Sequence, residues 1–260
     1  MTWVIGRAGP FGYAVGLSDI RVTLKDGTER DCLQKVYNIG PHLALGFAGS
    51  VAIGLEIVNQ LSAVLPRPEK DVAWIPQIVA ENLPRGTREL FRAFPEQERR
   101  LGSQLMLLSA HPTENDGAAP WAKCYVHRFS SPDFDPKLAR PAQIVSIGSG
   151  SSVEPYRKAL GKLEGDLELL KLQQFNRDGA AIGLMVSISS ELKKLPIQGI
   201  SAHMHICVVG RDGIRIGRND AETHDAPEEN FKMPPVAKSL EELRLMLSDA
   251  KGTLIEQARC

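Results

Sequence analysis

Five short apolar runs, at residues 2–7, 12–18, 20–24, 33–38 and 42–47, fill the first fifty positions before any helical period begins. Turn signals separate them. Ala8-Gly9-Pro10-Phe11 divides the first pair, Lys25-Asp26-Gly27-Thr28 follows the third run, and Ile39-Gly40-Pro41 joins the last two. Gly and Pro punctuation between short runs marks hairpins, so the opening predicts a β-meander. The period then switches. Ile53, Ile57, Leu61 and Leu65 form one stripe of a helix over 50–64, with Ser50 as N-cap and Pro66 and Pro68 as stops.

A second helix is expected over 73–93, where Pro84-Arg85-Gly86 is placed to break it. Strands at 103–110 and 121–129 follow, linked by a polar loop, Thr113–Ala118. A strand at 143–147 ends in Gly148-Ser149-Gly150, and helices are expected at 153–174 and 179–195. Strands at 202–210 and 213–217 flank the turn Arg211-Asp212-Gly213. This order lacks the strict alternation of a parallel α/β sheet. It fits an α+β chain of antiparallel sheets with helices outside. Residues 1–218 read as one domain. Residues 219–260 read as a polar linker over 219–237 and an amphipathic helix over 239–258, its stripe Leu240, Leu243, Leu247, Ala250 and Leu254 packing on the domain or on a neighbouring subunit.

Composition narrows the function classes. Lys+Arg and Asp+Glu both number 31, so no basic excess favours nucleic acid or an anionic membrane. No apolar run reaches the ~18 residues of a membrane span, and no charged-then-apolar leader opens the chain. Cys32, Cys124, Cys207 and Cys260 are scattered without CxxC spacing, as free thiols of a reducing compartment are, which makes the cytoplasm the expected location. His203 and His205 share a strand face, but no third ligand converges on them, so no metal is expected. No GxxxxGK[ST] loop occurs, so no nucleotide cofactor is expected and any ATPase partner is a separate protein.

Thr2 stands directly behind the initiator. With Met1 removed it carries a hydroxyl nucleophile and an α-amine on one residue. An α-amine titrates near 7.7–8.0, about where a general base is useful, and an N-terminal amine is one recorded activator of a Thr hydroxyl. Such a centre needs a cation nearby, a carboxylate to hold the cation, and backbone N–H donors for an oxyanion. The meander offers Lys35, Asp19 and the stretch Gly46-Phe47-Ala48-Gly49-Ser50.

With these residues the chain resembles the proteasome β-subunit and HslV-type peptidase family. The shared pattern is an N-terminal Thr strand, Asp19-Ile20-Arg21-Val22-Thr23, Lys35 twelve residues after Thr23, and Gly46-x-x-Gly49 before the first helix. Ile147-Gly148-Ser149-Gly150 resembles the family's second Ser-Gly site. The Thr2-to-Asp19 interval is one residue longer than the family's, which the Ala8–Phe11 turn can absorb. The resemblance covers roughly residues 2–215, and the extra length makes the chain look more like the proteobacterial proteasome-homologue branch.

The resemblance implies a four-layer αββα fold, homo-oligomeric stacked rings, a polypeptide substrate and threonine endopeptidase activity. It implies Thr2 as nucleophile, Lys35 as the nearby cation, Asp19 as its counter-ion, Ser149 beside the Thr2 amine, and Gly46 as oxyanion donor. Thr23 would sit where a substrate strand pairs, and Ala44 and Ala48 would leave a roomy pocket for the residue before the cut. One family element departs: an Asp and a Ser precede the final core strand there, whereas Ser201 has no Asp beside it. That departure and the extended tail motivate a second reading, a proteasome-like scaffold without peptidase activity; a third is an N-terminal-nucleophile amidase acting on a small amide.

Overall fold

The structure is a computed structural model that describes residues 2–9, 12–24, 26–65, 76–115, 122–164, 199–201, 203–218, 234–248 and 258–259. Among them are five α-helices and three antiparallel sheets, an α+β architecture. The meander forms as the turn signals dictate: β1 (Val4–Ala8), β2 (Tyr13–Asp19), β3 (Arg21–Leu24), β4 (Glu29–Asp31), β5 (Val36–Gly40) and β6 (Leu43–Gly49). Helices α1 (Val51–Val64), α2 (Pro76–Ala93) and α3 (Glu96–Arg99) follow. The chain then returns to β7 (Ser103–Asn115), β8 (Ala122–Ser130), β9 (Lys137–Leu138) and β10 (Ile144–Ile147), a 3-10 turn at Ser149–Ser152, and α4 (Glu154–Glu164). After residue 198 come β11 (Met204–Gly210), β12 (Gly213–Arg218), α5 (Leu240–Ser248) and β13 (Ala258–Arg259).

One five-stranded sheet has the order β10-β1-β2-β11-β12, the other β5-β6-β7-β8-β9, and β13-β3-β4 make a small third sheet. Alternating side chains sort the core. Val4, Ala14, Cys207 and Val209 from the first sheet meet Val36, Ala44, Ala48, Met106, Leu108 and Val126 from the second, so the two large sheets share one buried layer. On the far face of the second sheet, Leu43, Leu45, Phe47, Leu105 and Leu107 pack with α1, α2 and α5. On the far face of the first, Trp3, Ile5, Val15 and Leu17 pack with Tyr156 and Leu160 of α4.

The tail differs from expectation. Ala237 donates its N–H to the Cys32 carbonyl at 2.8 Å and accepts from Gln34 N at 3.0 Å, so this end of the expected linker is stitched to the meander. Leu243 and Leu247 belong to the same core cluster as α1, which places α5 on its own chain. That helix is described as far as Ser248. Ala250 and Leu254, expected to extend its stripe, lie outside the described residues, and Ala258–Arg259 pair with β3 as a strand. The helix expected at 179–195 also lies outside them.

Pro84 does not break α2. Its ring is buried, and Gly86 meets open solvent, so the apolar face of the helix outweighs the lost N–H. Strand β4 went unread because only three residues, Glu29-Arg30-Asp31, form it and none is apolar.

Two stability tests follow from this packing. Gly54 lies in α1 against β6, and a Cβ there would stand 2.3 Å from the Phe47 ring, which is fully buried. Gly54→Ala gains about 1 kcal/mol of helix propensity but overpacks a site where insertion costs about 1–3 kcal/mol. The variant is expected to be less stable by up to about 2 kcal/mol, read from urea unfolding; higher stability would show the ring yields. His127 on β8 is buried, which holds its imidazole below the usual value. The neutral form is therefore favoured in the folded state. Its contribution is fully present above the unfolded value of about 6.5 and is lost as pH falls through it. Unfolding at pH 7.5 and 5.5 should show a larger acid loss for the wild type than for His127→Gln.

Candidate functional site

Antiparallel pairing brings the candidate residues to one end of the first sheet. Val4 at the start of β1 lies opposite Ser18 near the end of β2 and opposite Ile147 at the end of β10, while Met204 at the start of β11 lies opposite Asp19. Thr2, Asp19, Ser149 and Ser201 therefore leave their strands on the same side. Lys35 precedes β5 and is fastened by its carbonyl, which accepts from Phe47 N at 3.1 Å. Thr2, Asp19, Lys35 and Ser149, up to 147 residues apart, converge in this way.

Lys35 Nζ donates to Thr2 Oγ1 at 3.2 Å and to both Asp19 carboxylate oxygens at 3.2 Å. It also donates to the Arg21 carbonyl. The Lys35 and Asp19 side chains are 0% exposed. Asp19 is a satisfied carboxylate: beyond the ammonium it accepts Trp3 N–H at 2.8 Å on one oxygen and Arg21 N–H at 3.1 Å on the other. Burying a charge is tolerable only with such pairing and bonding. A cation 3.2 Å from a hydroxyl oxygen favours the alkoxide that a nucleophilic attack requires.

Thr2 is clamped through its backbone as well. Its nitrogen donates to Ser149 Oγ at 3.0 Å, and its carbonyl accepts from Gly150 N at 3.3 Å and from Ser149 Oγ at 3.4 Å. Gly148 permits this approach. Its φ is +86°, and a Cβ there would stand 2.2 Å from the Thr2 carbonyl oxygen. Gly150 likewise admits the Trp3 ring, which stacks on Tyr156 at 4.6 Å between centroids. The structure thus brings Thr2, Asp19, Lys35 and Ser149 into one network. Ser149 opens the 3-10 turn but caps nothing with its side chain; its hydroxyl is given to Thr2.

Three expected roles are corrected. Gly46 cannot supply an oxyanion donor. Ser50 N bonds to Gly102 O at 2.9 Å and Phe47 N to Lys35 O at 3.1 Å, so N–H groups at even positions of β6 face β7 and those at odd positions face β5. The Gly46 N–H is therefore committed to the β6–β7 ladder. Gly49, with φ +98°, aims its N–H to the Lys35 side beyond the last β5 bond, and it is the better donor candidate.

Ala44 and Ala48 are fully buried in the layer between the sheets, where their methyls serve the packing of the core rather than an open surface. Thr23 has no open strand edge: it pairs with Glu29 on one side and Arg259 on the other.

Asp31 is the residue that the sequence did not reveal. Its carboxylate accepts from Ser201 Oγ at 2.6 Å, across 170 residues, and takes two bonds from Arg21, Nε at 2.6 Å and a terminal nitrogen at 3.2 Å. Burial pushes this carboxyl up, but the Arg21 and Ser201 bonds outweigh it and hold it below the usual carboxylate range. The bond to Asp31 likewise raises the Arg21 guanidinium. So Ser201 does have an aspartate beside it, supplied by β4. Only the i, i+2 spacing of Glu29 and Asp31, across the turn from Arg21, could have hinted at it.

Among the described residues no group of three His, Cys, Asp or Glu side chains could hold a metal, and no helix is long and apolar enough to cross a membrane. Neither a family model nor a curated protein matches the chain.

The buried pair gives a stability test that is independent of activity. Asp19→Ala leaves the Lys35 ammonium in a site with no carboxylate, and breaking such a pair costs about 3–5 kcal/mol. Denaturant unfolding should show a loss of that order. A loss under about 1 kcal/mol would mean that Lys35 swings out to water and that the pair does not organise the site.

Proposed function

We propose that this protein is a threonine endopeptidase of the N-terminal-nucleophile type. The observation that carries the reading is the 3.2 Å bond from the buried Lys35 ammonium to Thr2 Oγ1, with Asp19 behind it. The two sheets with helices on both outer faces support the αββα layering that the resemblance to the proteasome and HslV family implies. The stacked homo-oligomeric ring, the polypeptide substrate, a separate ATPase unfoldase and the cytoplasmic setting belong to the same reading.

The chemistry requires removal of Met1. While Met1 is attached, the Thr2 nitrogen is an amide donor, as its bond to Ser149 reflects, and cannot serve as a base. Removal converts it into an amine. That amine takes the hydroxyl proton as Thr2 Oγ1 bonds to the scissile carbonyl carbon, and returns it to the leaving amine as the C–N bond breaks. Lys35 stabilises the charge on Oγ1, and the Gly49 N–H is aimed to serve the oxyanion. Water then hydrolyses the acyl ester and frees Thr2. No metal or cofactor takes part in this reading.

One observation favours the scaffold reading instead. Thr2 is 1% exposed in the chain with Met1 attached, and both edges of β3 are already paired. Intact mass before and after an electrophile selective for N-terminal threonine separates the two. The expected result is loss of Met1 and one adduct on Thr2, with adduct and peptide turnover reduced at least about 100-fold in Lys35→Ala. A processed chain that forms no adduct would leave the scaffold as the reading, whereas a Lys35→Ala variant with normal turnover would overturn the role of Lys35 in the mechanism.

A further inference from the structure

The bonds around Asp19 close into a loop that passes through Asp31. Asp19 holds Arg21 N–H. The Arg21 side chain holds Asp31 with two bonds. Asp31 accepts the Ser201 hydroxyl at 2.6 Å, Ser201 Oγ accepts His203 N–H at 3.0 Å, and the next residue, Met204, pairs with Asp19 in the sheet. Arg21 is the sensitive link, because its N–H touches the carboxylate of the site and its carbonyl touches the Lys35 ammonium. We propose that Asp31 is a positioning residue of the Thr2 centre: it fixes the Arg21 backbone beneath Asp19 and Lys35 and locks the segment entering β11 against it. This inference rests on Thr2 being the nucleophile.

Geometry distinguishes Asp31 from its neighbour Glu29. Both carboxylates pair with Arg21, but Glu29 does so through one nitrogen at 3.1 Å and, among the described residues 199–201 and 203, has no bond like that of Asp31 to Ser201. Asp31 bridges the small third sheet to the segment before β11, and Ser201 at the far end is fully buried. Without the Asp31 charge, Arg21 keeps one partner and the Ser201 hydroxyl loses a charge-assisted acceptor. Lys35 and Thr2 Oγ1 would then drift apart by tenths of an ångström, enough to slow attack while the fold survives.

The test measures the rate at which an N-terminal-threonine electrophile modifies Thr2, resolved into saturating rate and half-saturation concentration, with Tm alongside. Asp31→Asn is expected to lower the saturating rate about tenfold, equal to about 1.4 kcal/mol, with half-saturation unchanged. Ser201→Ala should lower the saturating rate as well, and the double variant should be no slower than Asp31→Asn alone, because removing the Asp31 charge already weakens the Ser201 bond. Glu29→Gln should react like the wild type.

An Asp31→Asn variant that reacts at the wild-type rate overturns the proposal, as does a fully additive double variant. If Asp31→Asn fails to fold, Ser201→Ala at the wild-type rate overturns it equally. A wild-type chain that loses Met1 and forms no adduct overturns the nucleophile reading itself, a result distinct from any of these.

Discussion

A lysine and an aspartate with no exposed side-chain surface face each other at the end of the first sheet, and much of the local architecture exists to make that tolerable. An isolated buried charge is costly, and a buried pair only breaks even when its remaining valences are filled. Here they are filled by backbone. Trp3 and Arg21 N–H groups complete Asp19, and the Arg21 carbonyl and Thr2 hydroxyl complete Lys35. Each of those groups is fixed by its own strand, so the pair ties the starts of β1, β3 and β5 to the end of β2. Stability and chemical purpose meet in the same atoms: the one ligand of Lys35 that is neither carboxylate nor carbonyl is the hydroxyl proposed as nucleophile.

The glycines around this pair set distances rather than flexibility. Gly148 lets the 3-10 turn press on the Thr2 carbonyl, and Gly46 leaves room for the Val4 side chain, which a Cβ would approach to 2.8 Å. The first residues are thus held from the turn after β10 and from the second sheet at once. A nucleophile at the free end of a strand would otherwise sample many positions, and ordering it at the moment of reaction would raise the barrier.

Much of this was legible in the sequence, for a definable reason. Thr2, Asp19 and Lys35 lie within a meander of short strands, where local turn chemistry determines which ends meet, so spacing carries geometry. The α1 stripe and its Ser50 cap were readable for the same local reason. Contacts made by register were not. Whether Gly46 or Gly49 presents a free N–H depends on which residues of β6 face β7, and no property of the strand alone contains that. Ala44 and Ala48 read as pocket residues because small side chains suit a pocket and a tight inter-sheet layer equally well. Asp31 was hidden because its partner is 170 residues away and its strand has no apolar signature. In the tail, the apolar stripe identified a helix but could not say that Ala237, just before it, would be stitched to the meander.

The register of β1 with its neighbours also separates two kinds of sequence change. Pairing runs without a shift from Val4 opposite Ser18 to Ala8 opposite Ala14, and the turn that follows lies at the far end of the sheet from Thr2. A residue added in that turn lengthens a loop and moves nothing near the lysine. A residue added between Thr2 and Val4 displaces the hydroxyl by a full strand step, about 3.3 Å, and inverts the face it presents. Insertions and deletions among relatives of such a chain should therefore accumulate at one end of this sheet only. The chain's count of residues from Thr2 to the first sheet pair is as much a part of the site as the identity of any side chain in it.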